Sequence, residues 1–86
     1  MPVHEINITV VVNGHPVPLE KINVEEKLRA VADKALKNSG NSGQPLDNWE
    51  LRDSAGQILD FNKKVADYGI TNGAKLFLNL KAGVGG

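Results

Sequence analysis

The sequence predicts a two-layer α+β domain: one mixed sheet of four to five strands, a single helix across one face, and the other face wet. Three observations predict it. Residues 4 to 12 alternate apolar and polar with a period of two. Residues 24 to 38 repeat their apolar positions at helical spacing. Residues 75 to 81 alternate again at the end of the chain. The two alternating runs are the longest and most apolar, so they are expected side by side, parallel and central, with the helix over about 24 to 38 packed across one face.

In the first strand Ile6, Ile8, Val10 and Val12 point one way and Glu5, Asn7 and Thr9 the other. Asn13-Gly14 follows; both residues tolerate the positive φ of a tight hairpin turn. The partner strand over 16 to 22 turns Val17 and Leu19 inward and carries Pro16 and Pro18. Proline cannot donate to a ladder, which places this strand at a sheet edge. Asn23 then has the character of a helix N-cap, with Glu26 completing a capping box. Val24, Leu28, Val31, Ala32, Ala35 and Leu36 form the helix's apolar stripe. Glu25 and Glu26 suit its first turn, Lys34 and Lys37 its last, and Gly40 stops it.

Residues 39 to 48 have loop composition. Trp49 and Leu51 alternate with Glu50 and Arg52 in a third strand, a turn follows at 54 to 57, and Ile58-Leu59 is a brief fourth. Residues 62 to 69 are a short helical turn ending at Gly69, and Thr71-Asn72-Gly73 turns into the final strand. There Leu76, Leu78 and Leu80 alternate with Phe77, Asn79 and Lys81. The expected core is Ile6, Ile8, Val10, Leu28, Val31, Leu36, Leu76, Leu78 and Leu80. No internal repeat is present. The domain runs over 1–82; residues 83–86, with three glycines in the last four, are expected as a mobile tail.

Length and composition narrow the function classes. Eighty-six residues fit one domain. A chain this short buries only about 60–65% of the surface it exposes unfolded, so its single core leaves little room for a substrate pocket. Ten Lys/Arg balance ten Asp/Glu, so the basic excess that phosphate contacts demand of a nucleic-acid binder is missing. The absence of cysteine removes disulfides, thiolate metal sites and a cysteine nucleophile. No apolar run reaches the roughly 20 residues of a membrane helix, and no signal-peptide pattern opens the chain, so the expected location is the cytoplasm. His4 and His15 have no metal-ligand spacing and read as solvated. Ser39, Ser42 and Ser54 lack a Ser-His-Asp pattern, and the glycine-rich 39–43 lacks the lysine of a phosphate loop. Trp49, alternating with polar neighbours, reads as core. No metal site, cofactor or catalytic residue is expected.

The element order is that of the β-grasp fold, and two stretches resemble the ubiquitin-like family. Lys63-Lys64-Val65-Ala66-Asp67-Tyr68-Gly69-Ile70 is similar to ubiquitin's Thr-Leu-Ser-Asp-Tyr-Asn-Ile segment, with Val65, Asp67, Tyr68 and Ile70 matching in place and kind. The last strand, with its alternating leucines and terminal Gly85-Gly86, is the second stretch. In the family that tyrosine anchors a loop through its hydroxyl. Val12-Asn13-Gly14-His15-Pro16-Val17 also resembles the opening hairpin of the bacterial sulfur carriers for thiamin and molybdopterin synthesis, which generally lack the Asp-Tyr-x-Ile segment.

These resemblances imply a protein that is acted upon and is not itself an enzyme: a ubiquitin-like modifier, of the bacterial type encoded beside activating and conjugating enzymes. An activating enzyme would use ATP to adenylate the Gly86 carboxylate. A conjugating enzyme would receive it as a thioester, an amine on a target protein would be the acceptor, and a deconjugating metallopeptidase would reverse the bond. Gly85 and Gly86 remove side chains that would clash in the enzyme's nucleotide site, and Gly83 and Val84 complete the tail. The chain is expected to be monomeric, without nucleic-acid or membrane partners. The alternation leaves Thr9, Val11, Glu50, Arg52, Phe77 and Asn79 on the open sheet face, an interaction surface beside the tail. It lacks ubiquitin's aliphatic patch, so the resemblance does not extend to ubiquitin's receptors. Two alternatives stay open: a sulfur carrier ending as a C-terminal thiocarboxylate, and a non-conjugated interaction domain.

Overall fold

The computed structural model describes residues 4–83. β1 (Glu5–Val12) and β2 (His15–Asn23) form an antiparallel hairpin. Asn13 and Gly14 turn it at φ 48° and 87°, the double positive φ that this dipeptide tolerates. The helix α1 (Leu28–Asn38) crosses to β3 (Trp49–Arg52) through a 3₁₀ turn at Leu46–Asn48, and a second 3₁₀ turn at Val65–Tyr68 precedes β4 (Lys75–Leu80). The sheet order is β2-β1-β4-β3, with β1 and β4 parallel in the centre and the proline-bearing β2 at an edge. This is a mixed four-stranded α+β sheet of the β-grasp type, as the alternation predicts. Ile58-Leu59 does not make a fifth strand: it contributes one bridge, Ile58 to Arg52, before the chain turns away. Among the described residues no helix is long and apolar enough to cross a membrane.

The helix begins at Leu28 and not at 24. Asn23 Oδ1 accepts the Glu25 N–H at 2.9 Å, and the Glu26 carboxylate accepts the Asn23 N–H at 3.2 Å. The reciprocal pair expected of a helix cap closes a turn at the end of β2 instead. The reason lies across the chain. The Val24 and Glu26 carbonyls accept from Ala66 N and Val65 N at 2.8 and 2.9 Å, and Leu28 N donates to Lys63 O at 2.8 Å. Those groups would otherwise enter the first helical turn, and a short ladder to 63–66 takes them. The two acids therefore lie outside the helix. Their carboxylates meet Lys34 and Lys64 at 2.9 and 3.0 Å. The hydrogen bond and charge of Glu25 raise the Lys64 ammonium above the ordinary lysine range. Lys34 stands in mid-helix, and only Lys37 is in the last turn. The helix C-terminus follows expectation: Asn41 N donates to Leu36 O and Gly40 N to Lys37 O, with Gly40 at φ 73°.

The core lies between α1 and the inner sheet face. Leu28, Val31, Ala32 and Ala35 have no exposed surface, nor do Val10, Val12, Val65 and Leu78. Trp49 is 1% exposed and belongs to this core, and its indole Nε1 is buried without a hydrogen-bond partner. Leu80 is an exception to the expected core: at the end of β4 it is half-buried and packs on the cluster from outside. Leu78, in register with both Val12 and Leu51, is enclosed on every side. Leu78→Ala should cost about 2–5 kcal/mol, a large share of a small domain's stability. Chemical denaturation checks this, and an unchanged midpoint would remove Leu78 from the core.

Candidate functional site

Strand alternation fixes which residues face away from α1. Val10, Val12, Leu76, Leu78, Trp49 and Leu51 turn inward and are buried, so Thr9, Val11, Phe77, Asn79, Glu50 and Arg52 occupy the open face. Register brings them together. Phe77 stands opposite Val11 on one side and Arg52 on the other, Glu50 opposite Asn79, and Thr9 between Pro18 and Lys75. All six residues expected at this surface therefore share one face in adjacent registers.

The pairing also adds residues that the sequence reading missed. Pro16 is opposite Val11 and Ile58 opposite Arg52. One row thus runs Pro16, Val11, Phe77, Arg52, Ile58 across the whole sheet. Ile58 is 55% exposed, and among the described residues it is the large hydrophobic side chain left in solvent. The signal for it was present: Leu59 is buried, so its neighbour must face outward. Arg52 Nε donates to Glu50 Oε1 at 2.8 Å and Arg52 Nη1 to Gly56 O at 2.8 Å. The guanidinium is thereby held beside its own counter-ion, with side-chain exposures of 42% and 31%. Such a pair adds little stability, but it offsets the Arg52 charge from the neighbouring register and holds the guanidinium in place.

The base of the tail adjoins this face. β4 ends at Leu80, Lys81 N donates to Asn48 O at 2.8 Å, and Lys81, Ala82 and Gly83 are exposed. Gly83 has φ 84°, a left-handed value that favours glycine. Because β4 is central, the chain leaves from the middle of the sheet end. Val84, Gly85 and Gly86, the remainder of the expected tail and conjugation site, lie outside the described residues.

The Asp67-Tyr68 segment serves the fold. Tyr68 Oη accepts the Asp60 N–H at 2.9 Å, Asp67 Oδ2 accepts the Lys64 N–H at 2.8 Å, and Gly69 ends the turn at φ 64°. Together they hold the chain that leads into β4. His4 and His15 are exposed. Among the described residues no three His, Asp or Glu side chains gather as a metal site.

A family model described as "Protein of Unknown function (DUF2604)" matches residues 2–86. The chain belongs to that family. A relative of this DUF2604 chain, the uncharacterized protein y4jI of Sinorhizobium fredii (strain NBRC 101917 / NGR234), is 50% identical over 82 residues. The match takes in 95% of this chain, and the chain spans 62% of that relative's length. Among solved structures, the DUF2604 chain is similar to Caldiarchaeum subterraneum ubiquitin, with TM-score 0.75 and 24% identity over 96% of this chain and 100% of that one. It is also similar to the ubiquitin-like domain of Arabidopsis thaliana protein At2g32350, with TM-score 0.73 and 25% identity over 93% and 81%. The fold is therefore ubiquitin-like.

Tyr68→Phe removes the acceptor of the Asp60 N–H and little else. It should lower stability by about 0.5–1.5 kcal/mol and speed hydrogen exchange at Asp60 before the rest of the domain. Unaltered exchange at Asp60 would show that the hydroxyl is not what holds this loop.

Proposed function

We propose that the protein is a ubiquitin-like modifier whose Gly86 carboxylate is adenylated by an activating enzyme and then transferred through a thioester to an amine on target proteins. The observation that carries the reading is the pairing of a ubiquitin-like fold with a Gly85-Gly86 dipeptide shortly after its last strand. The central strand β4 delivers exposed Lys81–Gly83 at the sheet end, and Val84-Gly85-Gly86 follows in the sequence. A carboxylate that must enter another protein's nucleotide site needs a slim segment behind it, and two glycines supply one. The chemistry belongs to the enzymes: the carboxylate oxygen attacks the α-phosphorus of ATP and pyrophosphate leaves. A cysteine thiolate then displaces AMP, and an amine displaces the thiolate to form an amide. This chain contributes the carboxylate and the surface by which the enzymes hold it.

That surface is the open face. An enzyme that holds the tail also meets the strands from which the tail emerges, and Phe77 is the aromatic residue at their centre. Aromatic residues contribute disproportionately at interfaces. The fixed Glu50–Arg52 pair beside Phe77 replaces an aliphatic patch with a neutral polar one, which favours dedicated enzymes over those that read ubiquitin.

Incubation with the cognate activating enzyme, ATP and lysate, followed by intact-mass measurement, tests the reading. It requires the mass of this chain, less one water, on other proteins. A mass gain equal to the replacement of one oxygen by sulfur would make the protein a sulfur carrier instead. Deleting Gly85-Gly86 should leave the denaturation midpoint unchanged and abolish activation, and a bulky residue at Gly86 should impair adenylation. No adduct on other proteins and no mass gain, with partner binding unchanged in the deletion variant, would leave only a non-conjugated interaction domain. Phe77→Ala should keep the fold and weaken binding to the activating enzyme by about 1–2 kcal/mol, as measured by titration. Wild-type affinity would remove this face from recognition.

A further inference from the structure

We propose that the Asn13-Gly14 turn is a site of self-catalysed deamidation, at which the Gly14 backbone nitrogen displaces ammonia from the Asn13 carboxamide, while the fold protects the chain's other Asn-Gly pair, Asn72-Gly73. Asparagine precedes glycine at these two places only. Glycine has no side chain to shield its amide nitrogen, and the carboxamide one residue back is within intramolecular reach of it. The same dipeptide thus occurs in two exposed turns, and the hydrogen bonds around each decide which one reacts.

At Asn13-Gly14 the linking peptide is free. Neither the Asn13 carbonyl nor the Gly14 N–H has a hydrogen-bond partner among the described residues. The hairpin is closed by the flanking pair, Val12 and His15, and by Asn13 N, which donates to Leu78 O at 3.0 Å. The Asn13 carboxamide has one contact, Oδ1 with Leu80 N at 3.5 Å, longer than the usual hydrogen bond. The peptide plane can therefore rotate and bring the Gly14 nitrogen onto Cγ without giving up a hydrogen bond of its own. At Asn72-Gly73 both reacting groups are held. Gly73 N donates to Asn7 O at 2.7 Å, and Asn72 Oδ1 accepts the Asn7 N–H at 2.8 Å. Both bonds run to one residue of the central strand β1, so attack there requires the turn to leave that strand.

The step needs only water. The bond from Gly14 N to Asn13 Cγ forms, the Cγ–Nδ2 bond breaks, and the Gly14 proton leaves with ammonia by way of solvent. The product is a five-membered cyclic imide. Water opens it at either carbonyl. One opening leaves an aspartyl residue at position 13. The other leaves an isoaspartyl residue, whose main chain runs through the side-chain carbon and is one methylene longer. A two-residue turn has no slack for that methylene. The isoaspartyl form therefore strains the β1–β2 pairing and the contacts of Asn13 with Leu78 and Leu80, at the end of the strand that leads to the tail. None of these steps involves the tail carboxylate.

The test is incubation of the full chain in mildly alkaline buffer, folded and in urea, with peptide mapping by mass spectrometry. Conversion appears as the replacement of one NH by one oxygen. In the folded chain position 13 should convert about tenfold or more faster than position 72, because two hydrogen bonds hold the latter. Urea should close that gap. The converted hairpin peptide should accept a methyl group from an isoaspartyl carboxyl methyltransferase, which an aspartyl peptide does not. Asn13→Gly, which leaves a dipeptide suited to the same turn, should keep the fold and lose the mass gain at the hairpin. Equal rates at the two positions in the folded chain, a gap that urea leaves unchanged, or an unconverted hairpin would overturn the proposal. So would conversion to the aspartyl form alone, since water and not the Gly14 nitrogen would then be the attacking group.

Discussion

The parallel pairing of β1 with β4 is the constraint on which the rest of the structure depends. Parallel neighbours cannot be joined by a hairpin, so all of the chain between them must leave the sheet and return. It leaves through β2, which can only lie outside β1, and returns through β3, which can only lie outside β4. Between these, α1 crosses one face and sets Leu28, Val31, Ala32, Ala35 and Leu36 against Val10, Val12, Leu76 and Leu78. The central pair is thus covered on one side and open on the other. The same pairing makes β4 an inner strand, so the tail departs from the middle of the sheet end.

What was legible in the sequence is what depends on local periodicity. Both central strands, the hairpin turn, the helix stripe, its glycine stop and the edge position of the proline strand all follow from spacing and residue type. What was not legible depends on partners distant in sequence. Asn23 and Glu26 satisfy the local rule for a helix cap. They cap a turn instead because Lys63, Val65 and Ala66 offer the 24–28 backbone a competing ladder. The same competition for backbone groups limits Ile58-Leu59 to one bridge, since Tyr68 Oη and Arg29 N draw the following residues toward the helix. Lys21 is a further instance. Its φ of 56° sits where the β1–β2 register shifts, a bulge no residue pattern announces.

The open face divides in the same way. Its membership was readable, because alternation alone sends Thr9, Val11, Glu50, Arg52, Phe77 and Asn79 to one side. Its organisation was not. That Phe77 stands between Val11 and Arg52, and that Ile58 ends the same row, are facts of register, which depends on which strands pair and not on what each contains. The tail is the opposite case: its chemistry is legible from glycines alone, and its position is set by β4.

Stability and recognition are carried by different residues of the same strands. In β4, Leu76 and Leu78 are buried and Phe77 and Asn79 are not. A substitution on the open face removes little core contact, and a substitution in the core displaces the strand that presents the face. The arrangement leaves the outer positions free to vary in chemistry while the inner ones hold the geometry. That is how a backbone at 24% identity to Caldiarchaeum subterraneum ubiquitin can share its fold while the open face carries the Glu50–Arg52 ion pair. The one group that escapes this division is the Trp49 indole, whose ring fills the core while its N–H goes unpaired there. An unsatisfied buried donor costs about 1–3 kcal/mol. The ring stands at the first position of β3, the shortest of the four strands, and is the largest fully buried side chain among the described residues.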